Sequence, residues 1–381
     1  MRNYSEVEFL EKVLSIPSVN GKQDTGKLAE FLAGYLRDCG LFVSLQKVDE
    51  NNVNVITVLQ GKTKEQVIWN GHLDTVPYGE LSKWHTDPER PEVKNGRMYG
   101  RGSSDMKSGL AGMVYVLGQM KRQGHVPLQT IHFWGTADEE KGGRGAAKMI
   151  EEYDIPKGSL LLIGEPTDCC LGIAQKGCVW LKAGVCGKTS HGAYPEEGEN
   201  AVMYGFKLYE TIREKLHRYS HPLLGKPTIQ ITGIQWGIAS NMTPDEAELC
   251  MDIRTVPGIG KEEILLWAKE EAEKYRKHTQ GRVGIEFQIM NYRKAIETDE
   301  KNPWVQKMQH VIKSETGEGT KTGISFFTDA SVFMKNRDDI PVILFGPGKE
   351  QLAHKPDEYV EIKTYLQYIR ILRPVSYTHL T

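Results

Sequence analysis

The sequence predicts an α/β protein with a mostly parallel central sheet, and a smaller α+β unit inserted into it. Three observations predict this. Four short apolar runs, in QVIWNGHLD, TIHFWGTADEE, LLLIGEPTD and IPVILFGPG, each end in a polar cluster, and each is apolar on both faces, as buried parallel strands are. Helical patterns separate them, for example Leu110, Met113, Val114, Leu117 and Met120 after the loop GRGSSD, and strand alternating with helix implies parallel crossovers. Between about residues 177 and 292 that rhythm breaks, and two strands follow each other with no helix between them.

The first residues, MRNYSEVEFLEKVL, interleave charges with apolar residues at helical spacing and lack the apolar core and cleavage site of a signal peptide. Within the break, Val179 to Cys186 reads as a strand, and 199–217 as a helix with Val202, Phe206, Tyr209, Ile212 and Leu216 on one face. Thr228 to Trp236 is the next strand. Ala247, Leu249, Met251 and Ile253 then alternate with Glu248, Cys250, Asp252 and Arg254, the period of a sheet covered on one face. A helix over 261–278 and a strand with Val283, Ile285, Phe287 and Ile289 complete β-α-β-β-α-β, the ferredoxin-like order. The expected division is therefore a discontinuous larger domain, 1–176 and 293–381, around an inserted unit, 177–292. The closing PVSYTHLT does not extend the helical pattern of Tyr365, Ile369 and Leu372. It resembles a translated sequencing adapter, so 374–381 is expected to be a non-native tail of a truncated reading frame, disordered or in a non-native contact.

Composition narrows the function. The 381 residues are 39% hydrophobic, enough to give each of two domains a core. Lys and Arg number 48 against 50 Asp and Glu, so no basic excess points to nucleic acid or an anionic membrane surface. No apolar run approaches the ~18 residues of a membrane helix, and a cytoplasmic location is the default. The six cysteines, Cys39, Cys169, Cys170, Cys178, Cys186 and Cys250, form no C-x-x-C pair and read as small buried hydrophobes in a reducing compartment.

The polar clusters that close the four strands carry the chemistry: His72 and Asp74 in GHLDTVP, Glu139 and Glu140 in TADEE, Glu165 in GEPTD, and His354 shortly after FGPG. Ligands of open parallel sheets collect beyond the carboxyl ends of the strands, so these residues converge on one crevice, and Asp105 in GRGSSDMKSG points to the same edge. Two histidines with several carboxylates and no thiolate form a donor set suited to Zn²⁺, with Co²⁺ or Mn²⁺ able to substitute. Five ligands exceed the three that one catalytic zinc takes from protein, which favours two ions bridged by a carboxylate. A two-metal site brings a water's pKa to about 7 and polarises a carbonyl, the needs of amide hydrolysis without a protein nucleophile. Of the adjacent Glu139 and Glu140, one binds metal while the other relays the proton to the leaving amine. Taken singly these signals are weak. An H-x-D is more often an ordinary hydrogen-bonded pair, and a Glu-Glu pair is more often a solvated helix start. GRGSSD lacks the spacing of a phosphate-binding loop. The combination carries the weight.

GHLDTVP, GRGSSDMKSG, ADEE, GEPTD, KTSHGAYPEEGENA, the Asn241 segment, MDIRTVP and AHKPDEYV, in this order, resemble the M20 metallopeptidases, the group of acetylornithine deacetylase, succinyl-diaminopimelate desuccinylase, aminoacylase and carboxypeptidase G2. The resemblance spans about residues 10 to 373. It implies a zinc-peptidase-like catalytic domain and two Zn²⁺ per subunit, with Asp105 bridging them, His72 and Glu165 completing one ion's sphere, and Glu140 and His354 the other's. Asp74 would hold His72 through its second ring nitrogen. Glu139 would be the general base, and the peptide after Asp105 would be cis. The inserted unit would mediate a two-fold homodimer and carry His191 into the partner's active site to stabilise the oxyanion, although a histidine between Ser190 and Gly192 is by itself more often a turn residue. Asn241 and Arg254 would bind the substrate's carboxylate or oxyanion. The segment from Gly323 to Asp329, GISFFTD, brings Phe326 and Phe327 either to an acyl pocket or, as aromatic residues more often go, to the core. The implied substrate is an N-acyl amino acid or short peptide. Acetylornithine-like deacylation stands slightly ahead of desuccinylase, dipeptidase and carboxypeptidase activity because of GEPTD and AHKPDEYV. Two readings of other classes remain: a silent ligand-binding relative, against which retention of Glu139 speaks, and a two-metal phosphatase, which would favour more positive charge around a phosphoryl group.

Overall fold

A computed structural model describes residues 4–237 and 239–375. The chain forms two compact units, Met1–Ala174 with Glu297–Ile324 and Thr328–Thr381, and Gln175–Ile296 with Ser325–Phe327.

The four apolar runs form the parallel centre of the first unit's sheet. Strands Gln66–His72, Thr130–Thr136, Leu160–Ile163 and Val342–Leu344 are buried almost throughout. Gln66–His72 pairs in parallel with Thr130–Thr136 on one side and Leu160–Ile163 on the other, and Val342–Leu344 continues the series. Antiparallel neighbours flank this centre: Val53–Leu59 and then Val43–Lys47 beyond Thr130–Thr136, and Leu171–Gln175 beyond Val342–Leu344. Helix Lys107–Arg122 has thirteen of its sixteen residues buried, which fits an element covered on every side. Its first turn passes so close to the end of Leu160–Ile163 that a Cβ on Gly109 would lie 1.9 Å from the Gly164 carbonyl oxygen. Only glycine allows that approach.

A separate three-stranded sheet joins Glu92–Lys94, Arg97–Tyr99 and Tyr359–Glu361, with Tyr359 opposite Tyr99. It ties residues near the C-terminal helix Ile362–Val375 to the loop that carries Asp105. That helix includes Pro374 and Val375, two residues past the end at Arg373 that the sequence suggested. The rest of the expected tail, 376–381, lies outside the described residues.

The second unit has the order strand Gly177–Cys186, helix Ala201–Leu216, strands Thr228–Trp236 and Glu246–Thr255, helix Lys261–His278 and strand Gly284–Arg293. Its sheet runs Thr228–Trp236, Glu246–Thr255, Gly177–Cys186, Gly284–Arg293, antiparallel at every pairing, which is the ferredoxin-like arrangement. Ala247, Leu249, Met251 and Ile253 are buried as their alternation predicts. The face of helix Ala201–Leu216 differs from expectation: Phe206 is exposed, and Ala201, Gly205, Leu208, Ile212 and Leu216 are buried. The helix lies close against the sheet, and a Cβ on Gly205 would stand 2.4 Å from Leu249 Cδ1. Close approach therefore selects small residues at Ala201 and Gly205, and Leu208, Ile212 and Leu216 complete the inner face. Not all cysteines are buried either. Cys39, Cys169 and Cys178 are, Cys170 and Cys250 are half-buried, and Cys186 is exposed at a strand end. No helix of the described residues is long and apolar enough to cross a membrane.

Candidate active site

The carboxyl ends of the parallel strands deliver the first unit's acidic and imidazole groups to one place. His72 ends its strand, Glu139 and Glu140 follow Thr130–Thr136, Glu165 follows Leu160–Ile163, and His354 lies beyond Val342–Leu344. Asp105 sits in the turns before helix Lys107–Arg122, and the Asp105–Met106 peptide is cis.

Asp105 stands between the two histidines. Its Oδ1 is 3.2 Å from His72 Nε2 and its Oδ2 3.3 Å from His354 Nε2. His354 Nε2 is also 3.1 Å from Glu140 Oε1. Ligand atoms of His72, Asp105 and Glu140 all lie within 4.8 Å of one another, a spacing that fits a metal ion. Glu165 is buried, its Oε2 has no hydrogen-bond partner among the described residues, and it feels the charges of Asp105, His72 and Glu140. A buried carboxylate oxygen without a donor is costly unless a cation meets it. That orphan, together with the N/O character of the set, fits bound divalent metal.

Burial and crowding of charge shift the proton affinities of this cluster. Burial pushes Glu139, Glu140 and Glu165 above the usual carboxylate range, and nearby carboxylates add to it: Glu140 against Glu139, Asp105 against the other two. Burial would also raise Asp105, but hydrogen bonds from His354 and His72 hold its carboxyl well below that range. His354, bonded to Asp105 and Glu140, rises to about 10, and His72 rises as well: burial, the largest single effect, would lower it, but its bond to Asp105 together with the charges of Glu165, Asp74 and Glu139 outweighs burial.

Asp74 works differently from expectation. His72 Nδ1 meets the backbone carbonyl of Asp74 at 2.9 Å, while the nearer carboxylate oxygen is 3.8 Å away. A carbonyl only accepts, so Nδ1 carries the proton and Nε2 is turned to Asp105. The Asp74 carboxylate instead accepts from the amides of Glu139 and Glu140, each at 3.1 Å, and from Asn20 Nδ2 at 2.5 Å. It fixes the peptide that carries the two glutamates.

Four contributors escaped the sequence reading. Glu358 is buried and accepts from the backbone of the Asp105 loop and from Arg101. Asp329 is buried, accepts from Thr136 Oγ1 at 2.6 Å and couples electrostatically to Glu139 and Glu165. Asn20 supports Asp74. Lys107 is buried within the DMKSG stretch, its amine pushed down to about 7 by burial, and donates to the Ile16 carbonyl at 2.7 Å. Glu358 and Asp329 do lie inside quoted segments, AHKPDEYV and GISFFTD, where a charged residue in an otherwise apolar or turn context was the available signal.

The remaining expected residues divide between the units. Gly323 lies half-buried in strand Lys321–Ile324 of the first. In the second, His191 is exposed, its Nδ1 accepts from the Ala193 amide at 3.1 Å, and the Gly192 amide donates to the Asn241 carbonyl at 2.8 Å, which sets the exposed Asn241 beside it. The Ala193 contact is the local turn bond that a histidine in this setting commonly makes. Arg254 spends Nε and Nη2 on Asp252, at 2.8 and 3.0 Å, two residues away on the same strand face. Phe326 and Phe327 are half-buried and not core, and Phe327 lies under the Arg254 and Arg293 guanidinium groups at 5.5 and 5.7 Å.

The model of peptidase family M20/M25/M40 matches residues 68–376. A probable succinyl-diaminopimelate desuccinylase of Staphylococcus aureus is 27% identical, aligned over 100% of this chain and 99% of its own. An uncharacterized metallohydrolase of Methanocaldococcus jannaschii is 28% identical over 79% of this chain and 78% of its own. Among solved structures, aminopeptidase PepT from Bacillus cereus superposes with a TM-score of 0.79 at 19% identity, covering 97% of both chains. The YXEP protein of Bacillus subtilis, a dinuclear metal-binding peptidase, superposes with a TM-score of 0.69 at 13% identity, covering 97% of this chain and 96% of its own.

Proposed function

Since the chain belongs to peptidase family M20/M25/M40, hydrolases of amide and peptide bonds, we propose that it is a two-zinc amidohydrolase acting on an N-acyl amino acid or a short peptide. The observation that carries this reading is the meeting of His72, Asp105, Glu140 and His354 at hydrogen-bonding distance, with the partnerless Glu165 oxygen beside them. His72 and Glu165 would hold one ion, Glu140 and His354 the other, and Asp105 both. Bound, the ions would polarise the scissile carbonyl and bring a water's pKa near 7.

Glu139 does the proton work in this scheme. Its amide is held by Asp74, and burial lifts its carboxyl above the usual range, so it can take a proton from water and return it to the leaving amine. His191 and Asn241, from the second unit, would stabilise the oxyanion within a homodimer. Arg254 would have to exchange Asp252 for a substrate carboxylate. On the acyl group, the motif likeness puts acetylornithine-type substrates slightly ahead, whereas the desuccinylase name of the Staphylococcus aureus relative favours N-succinyl substrates.

A panel of N-acetyl, N-succinyl and dipeptide substrates offered to zinc-loaded protein ranks these classes directly. Glu139→Gln should keep its zinc and lose nearly all turnover. Inactivity of the wild type on every substrate after chelation and reloading, or unchanged turnover in Glu139→Gln, would overturn the reading.

A further inference from the structure

Glu358 is a buried carboxylate beside the site that bonds to the backbone of the Asp105 turn and not to either histidine. Only 1% of it is exposed. Oε1 accepts from the Ser104 amide at 2.8 Å and the Asp105 amide at 2.9 Å. Oε2 accepts from the Gly102 amide at 3.0 Å and from Arg101 Nη1 at 2.7 Å. Four donors thus converge on one carboxylate, and three are main-chain groups of a single turn that ends at Asp105. Within the turn the Ser103 amide donates to the Gly100 carbonyl and the Lys107 amide to the Gly102 carbonyl, and Glu358 takes the Gly102, Ser104 and Asp105 amides.

The three-stranded sheet puts Glu358 there. Glu358 directly precedes strand Tyr359–Glu361, whose register against Arg97–Tyr99 sets it opposite Gly100, and the Gly100 amide donates to the Glu358 carbonyl at 3.0 Å. Four residues before Glu358 is His354, whose ring meets Asp105 Oδ2. One short segment therefore supplies a histidine for one side of Asp105 and the clamp for its backbone.

We propose that Glu358 is a positioning residue for Asp105: by gathering the Gly102, Ser104 and Asp105 amides it fixes the aspartate so that its two oxygens face His72 and His354 separately. The inference rests on the reading of Asp105 as the shared metal ligand. An ionised carboxylate suits the place because both of its oxygens accept and neither donates. The amide of a glutamine would turn an NH₂ toward two of the four donors. Aspartate would fall one methylene short. The bland alternative is that Glu358 only neutralises the buried Arg101.

Three proteins separate these roles: Glu358→Gln, Arg101→Met, and the double variant, which removes the ion pair as a unit. Each is measured for zinc bound per subunit, zinc affinity by chelator competition, kcat and KM on the best substrate of the panel, and thermal midpoint. In Glu358→Gln, zinc affinity and kcat should each fall by about 10- to 100-fold with KM within about threefold, as when a group that orients a ligand is lost. The double variant should regain thermal stability relative to Glu358→Gln without regaining zinc affinity, and Arg101→Met should keep the wild-type affinity. It also provides the reading if Glu358→Gln alone does not fold. Wild-type zinc affinity and kcat in folded Glu358→Gln or in the double variant would overturn the proposal while leaving the assigned function in place. A wild type that binds no zinc would overturn both.

Discussion

Replacing Asp74 by asparagine tests whether a carboxylate sets the position of the paired glutamates. Asp74 is fully buried and accepts three bonds: Oδ1 from the Glu139 amide, and Oδ2 from the Glu140 amide and Asn20 Nδ2. Asparagine retains one oxygen. Its better rotamer places that oxygen at the Oδ2 position, keeps two bonds, and turns an NH₂ toward the Glu139 amide, donor against donor. A hydrogen bond to a charged group contributes about 1.5–3 kcal/mol, and a buried donor left without a partner costs about 1–3 kcal/mol. Glu139 and Glu140 are half-buried, so water relieves part of this, and about 2 kcal/mol is the expected cost. At about 2–4 °C per kcal/mol for a unit of this size, the thermal midpoint should drop by about 4–8 °C. Asp74→Ala loses all three bonds and should cost about twice as much. Turnover should suffer more than stability, because the displaced peptide carries the proposed base, and a displacement near 1 Å can cost about 100-fold. Differential scanning calorimetry and steady-state kinetics on zinc-loaded protein measure both. An Asp74→Asn protein with the wild-type midpoint and kcat within threefold of wild type would refute the holding role.

The remaining expectations concern protons, packing and thiols. In the metal-free protein, bonds to Asp105 and Glu140 raise His354 from 6.5 to about 10. A folded value above the unfolded one contributes stability that is complete below about pH 6.5 and fades as pH rises through about 10. Solvent screening keeps that contribution small at a half-exposed ring. Zinc must displace this proton, so calorimetric titration near pH 7.5 in buffers of different ionisation heat should show release of at least one proton per subunit, and a buffer-independent enthalpy would contradict it. Gly109→Ala places a methyl 1.9 Å from the Gly164 carbonyl, so it should destabilise by about 1–3 kcal/mol or more and weaken zinc binding, because the helix after Asp105 is forced away from the strand that carries Glu165. Equal stability and zinc affinity would show that the contact relaxes at no cost. Burial pushes the Cys178 thiol up to about 12, so native protein treated with iodoacetamide at pH 8 should carry label on the exposed Cys186 and none on Cys178, read by peptide mass spectrometry.

The fold and the convergence of the candidate ligands were legible for the same reason. Parallel strands buried on both faces must be apolar runs, and the first polar residues after them must lie at the carboxyl edge, so His72, Glu139, Glu140 and Glu165 declare their location by where the apolar run stops. The inner face of helix Ala201–Leu216 was not legible, because hydrophobicity ranks Phe206 above Gly205, whereas closeness of approach to Leu249 ranks them the other way. The Arg254 ion pair could have been read from the i, i+2 placement of Asp252 on one strand face. Glu358 could not, since its role depends on the pairing of Tyr359–Glu361 with Arg97–Tyr99, some 260 residues apart in the chain, and no local pattern encodes that register. Asp74 and Glu358 share a further feature: each meets mainly backbone amides, of Glu139 and Glu140 in one case and of Gly102, Ser104 and Asp105 in the other. Every residue but proline offers such an amide, so the groups being held leave no mark on side-chain identity. The sequence can therefore name the side chains that converge, while two carboxylates that grip main chain hold the peptides that carry them. Changing either carboxylate should alter the site without altering any of the proposed ligands.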